Sequence, residues 1–263
     1  MNKTILSTVD LSIGYNAKNS PMVLGKNINL NLNQGKLIAL VGANGIGKST
    51  LLRTLTGIQK PISGTVYLNE KDISKIDEAE LSKSLSLVLT EKLPPSNLTV
   101  YELIALGRQP YTNWLGQLSS TDKEKVSEAI HFTKTEELLA KKHTEISDGQ
   151  LQKVLIARAL AQDTEIIVLD EPTTHLDLSH KVAIFSLLKK LAVESNKCLL
   201  FSTHDIDLAI QISDEMIVMT EEKLIQDQPC NLISRGIFET IFNDSHIQFD
   251  AHFGKFVIKD RLQ

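Results

Sequence analysis

Residues 42–49 read Gly-Ala-Asn-Gly-Ile-Gly-Lys-Ser, the pattern G-x-x-x-x-G-K-[ST]. They follow the apolar run 36–41 and precede a helical segment, 49–56, that Gly57 stops. No other feature limits the fold so tightly. Such a loop needs a strand to deliver it and a helix N-terminus behind it, so the chain is committed to an α/β core. The residue types follow from the ligand. A triphosphate needs many donors at close range. Glycines let backbone N–H groups approach and turn inward, and the helix adds positive partial charge. On this reading Gly42, Asn44, Gly45, Gly47 and Thr50 frame the phosphates of ATP. Lys48 reaches the β- and γ-phosphates, and the Ser49 hydroxyl ligates Mg2+.

The rest of the chain fits such a core. Strand-like patterning runs over 8–15 and 27–32, and a turn at Ser63-Gly64 leads into a strand at 65–68. From about Val100 to Ala161 the apolar spacing is helical: Val100, Leu103 and Ile104, then Val126, Ala129 and Ile130, then Leu155, Ile156 and Ala159. A loop over 108–120, with Pro110, Tyr111, Trp114 and Gly116, interrupts it. Strands return at 165–169 and 197–202, each followed by a helix-like segment, which implies parallel pairing. A short tail follows Gln228.

Residues 165–171 read Glu-Ile-Ile-Val-Leu-Asp-Glu. An apolar strand thus delivers two adjacent carboxylates at its C-terminal end, where open α/β sheets bind ligands. Asp170 suits an indirect, water-mediated hold on Mg2+, and Glu171 is placed to polarise the water that attacks the γ-phosphate.

Composition narrows the function. Lys plus Arg total 28 and Asp plus Glu 32, giving a net charge of −4 and no global field for nucleic acid. No apolar run approaches the ~20 residues of a membrane-spanning helix. The first ten residues lack a small-residue cleavage site, so the expected place is the cytosol, with any membrane contact made through a partner. Cys198 and Cys230 make no disulfide framework, in keeping with a reducing compartment.

Further motifs carry a resemblance. Ile146-Ser147-Asp148-Gly149-Gln150 is similar to the signature Leu-Ser-Gly-Gly-Gln of the ATP-binding-cassette (ABC) ATPases. Glu171-Pro172-Thr173-Thr174-His175-Leu176-Asp177 resembles their D-loop, Ser202-Thr203-His204-Asp205 their switch histidine, and Tyr15 the aromatic that stacks on adenine. The resemblance covers nearly the whole chain, with its motifs in the family's order. It implies a P-loop NTPase core with an antiparallel β subdomain and a helical insert, all in one domain. Residues 1–88 and 162–228 would form the nucleotide-binding part, 89–161 the helical insert and 229–263 a C-terminal extension. It also implies that Glu171 and His204 are catalytic, with His204 holding the γ-phosphate and the attacking water. Ser147, Gly149 and Gln150 would meet the γ-phosphate bound to the other protomer, so ATP would lie between two copies arranged head to tail.

The chain departs from the family at two positions. Asp148 replaces a signature glycine, and its carboxylate is expected to turn away from the phosphate, which it would otherwise repel. Glu91 falls where the family has the Q-loop glutamine, and a carboxylate there could ligate Mg2+. Leu106-Gly107-Arg108-Gln109-Pro110-Tyr111, with Trp114 and Gly116, resembles a segment of the ATPases that drive import of iron–siderophore complexes, haem and cobalamin. The partners implied are membrane permease subunits, a second ATPase copy and, through the permease, a substrate-binding protein. The chain would then sit on the cytoplasmic face of the membrane and bind no nucleic acid. The rival readings are a non-transport cassette of the iron–sulfur assembly type, a DNA-repair or translation cassette, and a P-loop kinase.

Overall fold

Four strands read as apolar runs because both of their faces are covered. The computed structural model describes residues 3–16, 21–89, 93–242 and 246–258. The N-terminal part comprises β1 (Thr4–Asn16), β2 (Pro21–Ile28), β3 (Asn31–Asn33), β4 (Leu37–Gly42), α1 (Lys48–Leu55), β5 (Ser63–Leu68) and β6 (Lys71–Asp72). Next come α2 (Glu78–Ser84), β7 (Leu85–Val88), α3 (Val100–Ala105), α4 (Ser120–Thr133) and α5 (Asp148–Ala161). The chain continues through β8 (Ile166–Leu169), α6 (Leu178–Glu194), β9 (Cys198–Ser202), α7 (Ile206–Ile212), β10 (Glu215–Met219) and β11 (Leu224–Asp227). It closes with α8 (Pro229–Ser234), β12 (Ile247–Asp250) and β13 (Lys255–Ile258).

The central sheet has the order β11-β10-β4-β9-β8-β7 and is parallel except for β11. Alternation along β4 sorts its side chains. Leu37, Ala39 and Val41 pack with Phe185 and Leu188 of α6 and Ala209 of α7. Ile38 and Leu40 pack with Leu51 and Leu55 of α1 and with Ile5, Leu11 and Ile13 of β1. Each such buried side chain contributes roughly 1.5–3 kcal/mol. The second sheet, β2-β1-β5-β6 with β3 against β1, is antiparallel and caps the α1 side. The α/β core, antiparallel subdomain and helical insert implied by the resemblance are therefore all present.

Two departures from the sequence reading have clear causes. The strand expected over 27–32 is broken, because Asn27 takes a left-handed φ of 53° where β2 ends, and β3 starts only at Asn31. The loop expected from residue 108 starts later, because Leu106–Tyr111 continues α3 as a 3-10 helix. The tail after Gln228 is folded. Leu232, Ile237, Phe238 and Phe249 join the main core, and the rings of Phe238 and Phe249 lie 4.9 Å apart.

The helical insert has its own apolar cluster of α3, α4 and α5, including Val100, Ile104, Val126, Ala129 and Val154. Reciprocal caps start all three helices: Thr99 with Glu102, Ser119 with Asp122, and Ser147 with Gln150. The insert is also pinned by a buried ion pair. Arg108 Nε donates to Asp122 Oδ1 at 2.8 Å, Arg108 Nη1 donates to the Ala161 carbonyl at 2.8 Å, and the Tyr111 ring covers the guanidinium at 3.8 Å. Gly107 must be glycine here, since a Cβ would come within 2.2 Å of the Arg158 carbonyl oxygen. Removing one partner of a buried pair leaves a charge uncompensated. Asp122→Ala should therefore cost about 3 kcal/mol of folding free energy, read as a lower midpoint in urea unfolding. An unchanged midpoint would show that the pair is dispensable.

Candidate nucleotide-binding site

The loop after β4 is shaped by crowding on one side and by a helix start on the other. A Cβ on Gly42 would approach the Met219 carbonyl oxygen to 2.5 Å, so only glycine lets the chain leave the sheet there. Gly47, at φ 114°, is the residue before α1 and has no side chain to cap it, which leaves the first-turn N–H donors to an anion. Lys48 is buried, and its Nζ donates to the carbonyls of Gly42 at 3.0 Å and Ala43 at 3.1 Å. Burial pushes its pKa down, while Glu171 and Asp170 act the other way. The loop borders a cleft of ≈ 510 Å³. Tyr15, Met22 and Leu24 give it an aromatic and apolar wall suited to a base. Asn44, Gly45, Gly47, Lys48, Ser49, Thr50, Glu171 and His204 complete its lining. Tyr15 is half exposed, and its hydroxyl lies 2.8 Å from Thr50 Oγ1, which holds the ring over the start of α1.

The carboxylates come from the end of β8. Glu171 has a φ of 46°, a left-handed conformation unusual for a non-glycine residue. Its Oε1 contacts His204 Nε2, and its Oε2 accepts from Thr174 Oγ1 at 3.1 Å. Ser202 Oγ donates to Asp170 Oδ1 at 2.6 Å and accepts the Glu171 N–H at 2.8 Å. Asp205 accepts from Thr173 Oγ1 at 3.1 Å and pairs with Lys181 at 2.7 Å, tying the segment after His204 to α6. Sequence reasoning missed Met22, Leu24, Thr174, Lys181 and Ser202. Thr174 and Ser202 left a signal, as members of the segments 171–177 and 202–205, and Ser202 also as a hydroxyl that closes an apolar strand.

The signature residues lie elsewhere. Ser147, Gly149 and Gln150 stand at the start of α5, and none of them lines the phosphate cleft. Ser147 is the cap: its Oγ accepts the Gln150 N–H at 3.3 Å, and its own N–H donates to Gln150 Oε1 at 3.0 Å. Asp148 does not cap the helix. It is the exposed first helical residue, beside the N-terminal positive partial charge. Gly149 is buried under His180, where a Cβ would come within 2.7 Å of the ring. That ring is held by Asp177, whose Oδ2 lies 2.8 Å from His180 Nδ1. The His180 backbone N–H, then the Ser179 hydroxyl, keep the Asp177 carboxyl well below its ordinary range. Glu91 lies outside the described residues.

The donor set suits a magnesium nucleotide. Ser49 and Asp170 supply hard oxygen donors beside an anion-binding loop, as Mg2+ prefers. Residues 25–174 match the family described as ABC transporter. The chain is 35% identical over 252 residues to the iron(3+)-hydroxamate import ATP-binding protein FhuC of Bacillus subtilis (strain 168), covering 95% of this chain and 92% of that protein. Among solved structures, it superposes with a TM-score of 0.82 and 27% identity on a chain from an inward-facing transporter assigned to the metal-chelate type, over 98% of this chain and 99% of that one. It also superposes, with a TM-score of 0.73 and 29% identity, on the dimeric post-hydrolysis state of the ATP-binding cassette MJ0796 bound to ADP and phosphate, over 86% of this chain and 99% of that one.

The place of Asp148 has a measurable consequence. Replacing an acidic first-turn residue with glycine removes a favourable charge–dipole interaction and adds backbone entropy, so Asp148→Gly should lose roughly 0.5–1 kcal/mol. A lower thermal midpoint is expected. A rise would show that the carboxylate strains the helix start.

Proposed function

The chain belongs to the ABC transporter family of ATPases, and from that premise we propose that it is the ATP-hydrolysing subunit of an importer of iron–siderophore type chelates. The observation that carries the reading is the division of the site. The phosphate loop and the Glu171–His204 pair share one cleft, while the signature end of α5 lies outside it. A second copy, placed head to tail, would bring its Ser147, Gly149 and Gln150 to the γ-phosphate and complete two equivalent sites. The dimer of the related cassette with ADP and phosphate supports this arrangement.

Within each half, Tyr15 seats the adenine and Asn44, Gly45, Gly47 and Thr50 frame the phosphates. Lys48 leaves the Gly42 and Ala43 carbonyls for the β- and γ-phosphates. Ser49 and Asp170 would hold Mg2+, with Glu91 as a further oxygen donor, and the bound ion would neutralise phosphate charge. Glu171 takes a proton from water as the water oxygen bonds to the γ-phosphorus and the bond to the β-phosphate oxygen breaks, giving ADP and phosphate. His204, in contact with the Glu171 carboxylate, orients that water and the γ-phosphate.

Residues 1–88 and 162–228 serve this chemistry, 89–161 meets a membrane permease, and 229–263 extends the core. On the insert Trp114 is 91% exposed and its chain neighbour Leu115 is exposed as well, apolar side chains suited to a protein partner. The chelate itself is read by the permease and its substrate-binding protein. No helix among the described residues is long and apolar enough to cross a membrane, so attachment to the cytoplasmic face would come through the permease. The similarity to an import ATPase and to a metal-chelate transporter weighs against the non-transport alternative.

Glu171→Gln keeps the side-chain shape but cannot take the proton. It should bind ATP, hydrolyse it about a hundredfold or more slowly, and run as an ATP-dependent dimer in size-exclusion chromatography. Normal turnover, or a monomer at saturating ATP, would count against the composite site. Trp114→Asp should leave the ATPase rate of the isolated subunit unchanged and prevent its co-purification with the detergent-solubilised permease. Undiminished co-purification would place the docking surface elsewhere.

A further inference from the structure

We propose that Ser202 is a positioning residue for ATP hydrolysis, one hydroxyl that sets both acidic residues of the site. The inference rests on the ATPase reading above. Ser202 closes β9, whose other residues, Cys198, Leu199, Leu200 and Phe201, are apolar and buried. Its own exposure is 0%. A hydroxyl with no access to water is unfavourable unless its proton and a lone pair are both used. Here each is used by a residue of the site. The proton goes to Asp170 Oδ1 at 2.6 Å, and a lone pair accepts the Glu171 N–H at 2.8 Å.

The second bond matters because of the backbone it holds. Glu171 sits at φ 46°, a conformation an L-residue keeps only when its surroundings over-determine it. Two residues beyond Ser202, the same chain segment places His204 against the Glu171 carboxylate. Residues 202–204 therefore grip Glu171 at both ends, the backbone N–H through Ser202 and the carboxylate through His204. The first bond of Ser202 extends the same grip to Asp170. Alanine or valine could supply neither bond. The hydroxyl combines one donor and free lone pairs in the smallest volume, which suits a position enclosed between β4 and β8. The strand end thus transmits one geometry to the group proposed to take the proton and to its neighbouring carboxylate.

The test compares Ser202→Ala and Ser202→Cys with wild type, and with Glu171→Gln as the control for the ATPase reading. The cysteine variant keeps the shape while replacing the hydroxyl with a weak donor, so it carries the test if the alanine variant does not fold. Because the hydroxyl of Ser202 bonds to Asp170 and Glu171 and Ser202 does not line the cleft, affinity for a fluorescent ATP analogue should stay within about twofold. The kcat should fall about tenfold to a hundredfold, as expected when hydrogen bonds that orient reacting groups are lost. Wild-type kcat in a folded Ser202 variant, or a loss of nucleotide affinity that matches the loss of kcat, would overturn the proposal. Full activity in Glu171→Gln would instead overturn the ATPase mechanism on which it rests.

Discussion

Leu40 of β4 pairs with Ser202 of β9, and Leu169 of β8 pairs with Phe201 of β9, so three adjacent parallel strands run out at one edge of the sheet. Each leaves that edge with a different chemical cargo. From β4 comes the glycine loop with Lys48, from β8 come Asp170 and Glu171, and from β9 come Ser202 and His204. A slip of one residue in either pairing would turn every side chain of the moved strand to the other face. Both faces of β4 are apolar, so such a slip is opposed by packing: Ile38 and Leu40 would have to fill the spaces shaped for Leu37, Ala39 and Val41 in the other core. The hydrophobic packing thus holds the chemical groups in register.

At that edge charges are crowded in a partly enclosed space, and each one is given a partner before any ligand arrives. Lys48 is folded onto two carbonyls of its own loop. Glu171 touches His204 and Thr174, Asp170 takes the Ser202 hydroxyl, and Asp205 pairs with Lys181. These contacts balance the charges within the protein, and on the proposed reading Lys48 exchanges its two carbonyls for phosphate oxygens when the nucleotide binds.

The helical insert is organised by different means. Its three helices start on reciprocal caps, and its turn after α3 is locked by the buried Arg108–Asp122 pair. Its third helix, α5, belongs to two cores at once: Val154 and Ala157 pack within the insert, and Ile156 and Ala159 pack on the central sheet. The start of that helix is joined to the D-loop through Gly149, His180 and Asp177.

The glycine loop, the two carboxylates at a strand end, the signature and the histidine segment were all legible in the sequence. Each is a short run whose residue types dictate both a backbone shape and a chemistry, so no knowledge of distant neighbours is needed. The strands β4, β8 and β9 were legible for the same reason, since a buried parallel strand announces itself as an apolar run. The break at Asn27 and the burial of Arg108 were not. Arg108 lay in a stretch that resembled an exposed loop, and its carboxylate partner stands 14 residues away in another helix. The same holds for Ser202, which meets Asp170 across 32 residues, and for Gly149, whose lack of a side chain is matched to a ring on α6. Sequence by itself determined which chemistry the chain carries and in what order along the strands. Tertiary structure decided which side chains hold that chemistry in place, because those contacts depend on strand register and helix packing, which no local pattern encodes.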